Sequence, residues 1–573
     1  MTTQTITGRN RNAYPRPDLA RENWICLNGE WEFAFGDGKD YDRTIRVPFC
    51  PESELSGIGR KDFFGICRYR RTVSVPQRRD GERLLLHFEA AFYHTDVFVN
   101  GKPVCAHDGG YTPFTADITD AAAPETEAVL EVRCEGDARN LLQPSGKQSH
   151  RPESFSCFYT RSTGIWQTVW MEQVPETHLR NLYLTTDPES GTLRAELELA
   201  GSGRKDVSIR ALFDGQPVGE AEGTAGGETA VFTIPLRTVV LWEPEYPILY
   251  DLEIRVGEDE VRSYFGMRSL SWDRDGWILN GKHIFLRFVL DQGYYPEGGY
   301  TAPGDEDLVN DIRLSMAAGF NGARLHEKVF ERRFLYHCDR MGYLVHGEYP
   351  NWGFDYTNEA NTDRFLKEWG EAVFRDRNHP CLIGWCPLNE CWDIDGRPQS
   401  DAFVRAVYRR TKEWDPTRPV LDVSWTFHVE TDVYDVHDYE QNSKVFLERY
   451  RAFPDDNRFD AQAAGQRIPY DRSLPFFVSE YGGFRRGSGN AGWGYGTPVD
   501  DEAYVEQFLS YAEVMLQNPD VCGFCFTQLY DVELEENGIY TYGRERKFPP
   551  EVYERFRKAL SAPAALETRT NRT

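Results

Sequence analysis

The chain has 573 residues, 40% of them hydrophobic and 14% aromatic, which predicts a globular protein of three or four domains. Its formal net charge of −26 argues against nucleic acid and anionic membranes as partners. No apolar run approaches the roughly 18 residues of a membrane-spanning helix. The first residues also lack the apolar core of a signal peptide, so we expect a cytoplasmic protein.

Short segments of alternating apolar and polar residues fill the first part of the chain. Clear examples span 29–35, 69–76 and 83–119, and the last contains Asn100-Gly101, the signal of a type I′ hairpin turn. The series closes with GIWQTVWME at 164–172. We predict that residues 1–175 form a β-sandwich of the jelly-roll type.

A second alternating series follows, with segments at 182–186, 193–199, 207–213 and 249–256. Seven or so short strands in about ninety residues are typical of an immunoglobulin-like sandwich. We therefore predict such a domain over residues 176–272. Nothing in this segment indicates reactive chemistry, so its expected role is structural.

From about residue 275, apolar runs alternate with helical patterns, which is the signature of β/α units. Amphipathic helices are predicted at 305–318, 362–376 and 502–517. The candidate strands are 283–290, 321–326, 342–348, 381–389, 419–424, 433–439, 475–480 and 521–529. Eight strands in about 290 residues match a TIM barrel, which we predict for residues 273–573.

Two of these strands end in a glutamate. CLIGWCPLNE (381–390) and PFFVSEYGG (475–483) are apolar runs that stop at a polar cluster, as strands buried on both faces do. Glu390 ends the fourth strand and Glu480 the seventh, so both side chains are expected at the carboxyl-end mouth of the barrel. One glutamate alone would more simply form an ion pair. Two such carboxyl groups can protonate a glycosidic oxygen and attack the anomeric carbon.

Several stretches carry a resemblance to a known family. They are GIWQTVW (164–170), GKHIFLRFVLDQGYYPEG (281–298), GFNGARLH (319–326), Asn389-Glu390 and SEYGG (479–483). At these residues the chain resembles glycoside hydrolase family 2, the family of β-galactosidases, β-glucuronidases and β-mannosidases. The resemblance extends over nearly the whole chain. It implies a retaining mechanism with Glu390 as acid/base and Glu480 as nucleophile, and we expect Asn389 to bind the sugar 2-hydroxyl.

Other side chains that follow barrel strands are candidates for binding the sugar. They are Asp291 and Gln292 after strand one, Arg324 and His326 at the end of strand two, Trp425 after strand five, His437 and Tyr439 after strand six, and Gln528 after strand eight. The resemblance favours Arg324 as a partner of the nucleophile, and Asp291 with Gln292 as contacts of the non-reducing end.

Three alternatives stay open around these strand ends. Tyr439 and His437 either orient the nucleophile or simply cap their strand. Glu348, a third acid at the rim, is expected to be structural. The Gly-rich loop 484–500, with Trp493 and Tyr495, is a candidate for a mobile flap that supplies a stacking surface.

Departures from the family's pattern bear on the choice of sugar. LDQGYYP (290–296) replaces the His-rich motif of typical β-galactosidases. ENGIYTYGRERK (536–547) lacks the Asn-x-Lys-Gly element that grips the uronate carboxylate in β-glucuronidases. We expect an exo-acting, β-galactosidase-like enzyme. An arabinosidase or galactofuranosidase is the alternative, and a β-glucuronidase is less favoured.

Other classes remain to be separated by experiment. A carbohydrate-binding protein that has lost catalysis is disfavoured because both glutamates and Asn389 are present together. A transglycosylase would use the same carboxyl pair. No residue set has metal-ligand spacing, so we predict no metal or other cofactor beyond an optional structural cation. The expected partner is a glycoside or oligosaccharide, and a homo-oligomer is compatible with the sequence.

Overall fold

The computed structural model describes residues 11–38, 40–425, 428–456, 459, 468–486, 492–496 and 500–571. Within these residues, two β-sandwiches precede an α/β barrel along the chain. No helix in the described part of the chain is both long enough and apolar enough to cross a membrane.

The first sandwich packs two antiparallel sheets on one hydrophobic core. Leu84, Leu86 and Phe88 are fully buried in it, because alternate side chains of a strand point to the same face. One sheet has the order Trp24–Cys26, Val169–Pro175, Glu82–Phe88, Phe114–Asp117. The other has the order Arg43–Val47, Gly29–Phe35, Gly65–Ser74, Glu127–Gly136, His94–Val99, Lys102–Asp108. Ala91–Phe92 pairs with Gly164–Ile165, and Glu54–Ser56 is a short 3-10 helix.

The second sandwich has its own core between a three-stranded and a four-stranded antiparallel sheet. Leu193, Ala195, Leu197 and Leu199 alternate along one strand and all face this core. The smaller sheet has the order Leu179–Asp187, Thr192–Leu199, Thr229–Pro235. The larger has the order Gln216–Ala225, Lys205–Phe213, Tyr250–Val256, Asp259–Phe265.

The barrel is built on a parallel sheet whose strands are buried on both faces. Such strands read as continuous apolar runs, which is why the sequence pattern locates them well. Seven strands are hydrogen-bonded in the order Leu382–Cys386, Leu344–Glu348, Gly322–Leu325, Leu286–Asp291, Val521–Thr527, Phe476–Gly482, Tyr434–Asp438. In chain order these are barrel strands four, three, two, one, eight, seven and six.

Strand five differs from its prediction as a strand over 419–424. It contacts strand four through two isolated parallel bridges, Trp385 to Val420 and Asn389 to Ser424. On its other side, toward strand six, side-chain contacts replace the hydrogen bonds of a backbone ladder. The imidazole of His428 lies between the carboxylates of Asp422, at 2.8 Å, and Asp435, at 3.1 Å.

Helices surround the barrel, and two of them have the predicted bounds. The helices are Asp305–Ala318, Arg332–Met341, Thr362–Asp376, Asp401–Trp414, Ser443–Ala452, Asp501–Gln517, Pro550–Leu560 and Ala565–Thr570, with a 3-10 helix at Glu359–Asn361. The first begins after Gly304 and ends at Gly319, which adopts the left-handed conformation common at helix ends. Three acidic residues in its first turn interact favourably with the positive end of the helix dipole.

The predicted start of barrel strand one is wrong by three residues. Lys282–Ile284 belongs instead to a small antiparallel sheet with Leu270–Asp273 and Gly276–Leu279. The turn Asn280-Gly281, with both residues at positive φ, joins two of these strands as a tight hairpin. The barrel strand itself begins at Leu286.

A loop of the first sandwich lies against the barrel. The backbone N–H groups of Ser145 and Gly146 both donate to the carbonyl of Trp352, at 2.9 and 3.0 Å. Gly146 has a φ of 57°, and a Cβ there would lie 2.5 Å from the carbonyl oxygen of Glu327. Only glycine therefore permits this close approach. The loop is fixed to the residues that follow barrel strands two and three.

Candidate functional site

Glu480 lies within barrel strand seven, Phe476–Gly482, near the carboxyl end of the strand. One carboxylate oxygen accepts a hydrogen bond from Nη1 of Arg324 at 3.1 Å, and the other accepts one from the hydroxyl of Tyr439. Burial raises the pKa of Glu480, but the positive charges of His437, His326 and Arg324 outweigh it and hold that pKa below its ordinary value. Glu480 is therefore an ionised carboxylate at neutral pH.

Arg324, at the end of barrel strand two, connects three side-chain acceptors and also donates to the carbonyl of Ser479. Besides Glu480, its guanidinium donates to Oε1 of Glu348 at 2.6 Å and to Oδ1 of Asn389 at 3.1 Å. The second oxygen of Glu348 contacts Nδ1 of His326 at 3.0 Å. Because both of its oxygens are occupied, Glu348 acts as a structural counter-charge, as the sequence suggested. Burial raises the pKa of Glu348, but Arg324 and His326 lower it to about 2.

Glu390 follows barrel strand four and faces the same space. Its backbone has a φ of 43°, in the left-handed region, and its N–H donates to the carbonyl of Ser424 at 3.0 Å. A non-glycine residue in that region is strained, and such strain is concentrated at functional sites. Carboxylate oxygens of Glu390 and Glu480 and a ring nitrogen of His437 lie within 4.8 Å of one another.

His437 is held by a chain of hydrogen bonds that indicates its protonation. The hydroxyl of Ser424 donates its hydrogen to Asp435 at 2.9 Å. Its oxygen therefore accepts a hydrogen bond from the N–H at Nε2 of His437, also at 2.9 Å. Nδ1 then faces Oε1 of Glu390 at 2.8 Å. With a proton on Nε2, the Nδ1 atom is the ring nitrogen that forms the hydrogen bond with Glu390. Burial lowers the pKa of His437, but Glu480 and Glu390 raise it to a net value above normal.

Asn389 directs an unused donor into the site. Its backbone N–H donates to Oδ1 of Asn351 at 2.7 Å, and its side-chain oxygen accepts from Arg324. Its Nδ2 is buried and has no hydrogen-bond partner in the described part of the chain. A buried amide N–H without a partner costs free energy, so this atom is poised to bind an added oxygen.

Tyr439 connects the carboxylate to an exposed aromatic surface. Its hydroxyl, which donates to Glu480, also lies 3.1 Å from the hydroxyl of Thr527. Its ring stacks on Tyr495 with 3.5 Å between centroids and 10° between planes. Tyr495 is 43% exposed, and it belongs to the described part of the loop predicted as a flap. Residues 487–491 and 497–499 of that loop lie outside the described residues.

Asp291, Gln292 and Gln528 form part of the barrel wall. The carboxylate of Asp291 accepts from the N–H of Gly293 at 2.9 Å and from the hydroxyl of Tyr530. Gln292 donates to Gln528 at 2.8 Å, and Gln528 donates to Asn537 at 2.8 Å. Asp291 is thus engaged with the wall, whereas the two glutamines extend a polar network to the loop after strand eight.

Trp425 lies beside the acid Glu390 and has a partner that sequence analysis missed. Trp392, two residues after Glu390, contacts it with 4.6 Å between ring centroids, and Trp392 is 48% exposed. An exposed tryptophan close to a carboxyl pair is a signal that could have been used. Large exposed aromatic rings are the side chains most suited to stacking on planar ligands.

Two further residues reach the site without any sequence signal. Lys147 comes from the loop of the first sandwich, and Glu535 from the loop after barrel strand eight. Their charged atoms lie 3.8 Å apart, and both side chains are almost completely buried. Arg161, from the same loop, donates to backbone carbonyls, among them that of Ser149. Only the docking of the loop on the barrel reveals Lys147.

A buried carboxyl group and a partly exposed one this close, at the carboxyl edge of an α/β barrel, form the arrangement on which glycoside hydrolysis depends. The chain belongs to glycosyl hydrolase family 2. The model "Glycosyl hydrolases family 2" matches residues 177–268, and the model "Glycosyl hydrolases family 2, TIM barrel domain" matches 274–494. These matches confirm the predicted barrel. The jelly-roll and immunoglobulin-like types of the two sandwiches stay predictions.

Individual relatives differ in the sugar that their names give. The β-galactosidase of Thermoanaerobacter pseudethanolicus is 25% identical over 457 residues, which are 74% of this chain and 58% of that protein. The β-glucuronidase of Paenibacillus borealis is 23% identical over 457 residues, 72% of this chain and 74% of that protein. The structure of a β-D-glucuronidase from Dictyoglomus thermophilum has a TM-score of 0.78 at 20% identity and covers 96% of this chain and 99% of its own.

Proposed function

We propose that the chain is a retaining exo-glycosidase that removes a terminal sugar by double displacement. The observation that carries this proposal is the contact of Glu390, His437 and Glu480 within 4.8 Å. Retaining enzymes separate their carboxyl groups by roughly 5–5.5 Å, whereas inverting enzymes need roughly 6.5–9.5 Å to admit a water molecule. The short separation favours direct attack by one carboxylate.

In the first step Glu480 is the nucleophile. Arg324 and Tyr439 keep it ionised and leave it close to the anomeric carbon. Glu390 donates its proton to the glycosidic oxygen as the bond to the leaving group breaks. The free Nδ2 of Asn389 binds the sugar 2-hydroxyl, a contact that strengthens in the oxocarbenium-like transition state.

In the second step water attacks the glycosyl–enzyme ester. The ester has neutralised the charge of Glu480, so Glu390 now works as the base that takes a proton from water. His437 is hydrogen-bonded to Glu390 and in van der Waals range of Glu480, with Nδ1 3.5 Å from Oε2. The imidazole of His437 can therefore share positive charge with the proton that Glu390 takes up as Glu390 changes from acid to base.

For the sugar we propose a neutral β-glycoside, with a β-galactoside as the first substrate to test. An arabinoside or galactofuranoside is the second choice. The lack of an Asn-x-Lys-Gly element in 536–547 supports a neutral sugar. The relatives named β-glucuronidase keep a uronide as the opposing candidate.

The first experiment measures hydrolysis of a panel of nitrophenyl glycosides that contains these sugars and the β-glucuronide, β-mannoside and β-glucoside. On the accepted sugar, proton NMR should show an initial product with the same anomeric configuration as the substrate. A 2-deoxy-2-fluoro dinitrophenyl glycoside should then label the peptide that contains Glu480, and Glu480→Gln should be neither active nor labelled. Initial formation of the anomer opposite to that of the substrate, or label on another residue, would reject double displacement through Glu480. If the wild type hydrolyses no substrate of the panel, the result would favour a non-catalytic binding protein.

A further inference from the structure

Lys147 is a buried ammonium group with donors that the protein does not use. It is 6% exposed, and no described residue accepts a hydrogen bond from its Nζ. Its nearest carboxylate oxygen, Oε2 of Glu535, lies at 3.8 Å, beyond hydrogen-bond distance. A buried cation is stable only when it is paired and hydrogen-bonded. An oxygen atom placed beside Nζ would therefore give this ammonium group a hydrogen-bonded partner in addition to its ion pair with Glu535.

The backbone and the neighbouring rings fix Lys147 in position. The preceding Gly146 donates to the carbonyl of Trp352, and Nζ lies 5.4 Å from the Trp352 ring centroid and 5.8 Å from that of Tyr159. The indole N–H of Trp352 donates in turn to the carbonyl of Asn389 at 3.2 Å. A single side chain, that of Trp352, thus connects Lys147 to Asn389, the residue that precedes the proposed acid Glu390.

Glu535 is held as firmly from the other side. Its Oε1 accepts from the amide of Asn537 at 3.0 Å, and its Oε2 accepts from the hydroxyl of Tyr159. Oε2 retains acceptor capacity, because a carboxylate oxygen has two lone-pair directions. Burial would lower the pKa of Lys147, but the charges of Glu535, Cys157, Glu480 and Glu390 raise it above normal. The ammonium group and the two proposed catalytic carboxylates therefore belong to one electrostatic environment.

We propose that Lys147 and Glu535 together read one hydroxyl group of the terminal sugar, so that the first sandwich contributes a specificity residue to the barrel. The hydroxyl oxygen accepts from the ammonium group, and its hydrogen is donated to Oε2 of Glu535. Only a group that both accepts and donates fits between the two charges. A sugar carboxylate would satisfy Lys147 but would meet the negative charge of Glu535, so the pair selects a neutral sugar against a uronic acid.

This inference rests on the proposed glycosidase function, and its test begins from the sugar that the panel identifies. The kcat/KM of the wild type is compared for that aryl glycoside, for its monodeoxy analogues, and for the corresponding uronide. The same set is measured with Lys147→Met, Lys147→Gln and Glu535→Gln. Lys102→Met, on the exposed edge of the same sandwich, is the matched control.

We expect one deoxy analogue to lose about 10- to 100-fold in wild-type kcat/KM, which is the effect of one hydrogen bond to a charged group. Lys147→Met should lose as much on the parent sugar and nothing further on that analogue. Glu535→Gln should behave in the same way on this pair of substrates. It should also narrow the preference for the neutral sugar over the uronide by about tenfold or more, because Lys147 then lacks its counter-charge.

Three outcomes would overturn the inference, and they are distinguishable. In the first outcome, the wild type turns over a panel sugar, and the deoxy analogue keeps its full loss of kcat/KM in both Glu535→Gln and a Lys147 variant. That result would reject the hydroxyl-reading pair but not the glycosidase function. A uronide preferred by the wild type would reject it as well while leaving the glycosidase intact. If the wild type hydrolyses none of the glycosides, the proposed function and this inference are overturned together. Thermal unfolding identifies a variant that fails to fold, and the remaining variants then carry the test.

Discussion

Nδ1 of His437 lies 2.8 Å from Oε1 of Glu390, and the opposite nitrogen is fixed by the hydroxyl of Ser424. The imidazole and the carboxyl group are therefore within direct proton-transfer distance of each other. Burial lowers the pKa of His437, but Glu480 and Glu390 raise it above normal, so the alkaline limb of the rate profile should carry a contribution from His437.

Replacement of His437 by Gln should lower kcat/KM by about a hundredfold, a magnitude typical of groups that assist proton transfer. It should also move the alkaline limb of the kcat/KM profile, because the variant no longer contains the imidazole of His437, whose pKa Glu480 and Glu390 raise above normal. Stopped assays across pH 4 to 10 provide the measurement. A loss of rate with no movement of the alkaline limb would mean that His437 only supports the local packing.

Glu390→Gln should distinguish protonation of the leaving group from nucleophilic attack. For an aryl glycoside with a dinitrophenyl leaving group, which needs no acid, kcat/KM should stay within about tenfold of the wild type. For an alkyl glycoside it should fall by about 10²- to 10⁴-fold. Added azide should accelerate turnover of the dinitrophenyl substrate, because it attacks the glycosyl–enzyme without a base. Equal losses on both substrates would contradict the assigned role.

Arg324→Met should destabilise the fold as well as abolish activity. It leaves Glu348 and Glu480 buried without their cation, which typically costs about 3–5 kcal/mol of unfolding free energy. Urea unfolding provides the measurement. The double variant Arg324→Met/Glu348→Gln should recover part of the loss. The exposed Arg313, 3.4 Å from Glu306, supplies a control whose Met variant should change the free energy by about 1 kcal/mol or less.

The buried His428 predicts a loss of stability at alkaline pH. Burial lowers the pKa of His428, but Asp422 and Asp435 raise it from 6.5 to about 10. The unfolded histidine loses its proton near pH 6.5 and the folded one near pH 10, so the folded state binds more protons between these values. Its stabilisation is complete below pH 6.5 and declines as the pH rises toward 10.

Urea unfolding at pH 6, 8 and 9.5 tests this expectation. His428→Gln should be less stable than the wild type at pH 6, and the difference should shrink as the pH rises. A constant difference between wild type and His428→Gln at all three values would show that His428 is not charged in the folded state.

Trp392→Ala should weaken binding of aromatic leaving groups. The exposed ring of Trp392 against Trp425 forms a surface beside Glu390, and loss of such a contact should raise KM for a nitrophenyl glycoside about threefold to tenfold. A methyl glycoside of the same sugar should be less affected. Tyr246→Ala, a 67% exposed aromatic of the second sandwich, is the control. An equal rise in KM for both glycosides would place Trp392 outside the leaving-group site.

The barrel was largely predictable because its strands are buried on both faces. The helices at Asp305–Ala318 and Thr362–Asp376 coincide with their predicted bounds, since an apolar stripe and clear end signals mark them. Strand five was less predictable, because Asp422 and His428 replace part of its backbone pairing. No local pattern reports a side-chain bridge of that kind.

The site itself divides along the same line. Glu390, Glu480 and Asn389 end apolar runs, so a reader of the sequence can place them at one edge of a sheet. The proximity of Lys147 to Glu535 has no such signal, because it joins residues almost four hundred positions apart through the docking of two domains. Long-range contacts of that type depend on tertiary packing, which a pattern of one or two turns does not encode.

The attachment of Ser145 and Gly146 to the carbonyl of Trp352 has a consequence for how this chain can change through evolution. Glu390 and Glu480 of the barrel and Lys147 of the first sandwich are encoded in separate parts of the gene, and the docked loop brings Lys147 within 3.8 Å of Glu535, which follows barrel strand eight. A recombination event that joined this barrel to a foreign sandwich would preserve the machinery for cleavage and replace part of the sugar-facing wall. Exchange of sandwiches among relatives is therefore a route by which new preferences can arise without any substitution in the barrel.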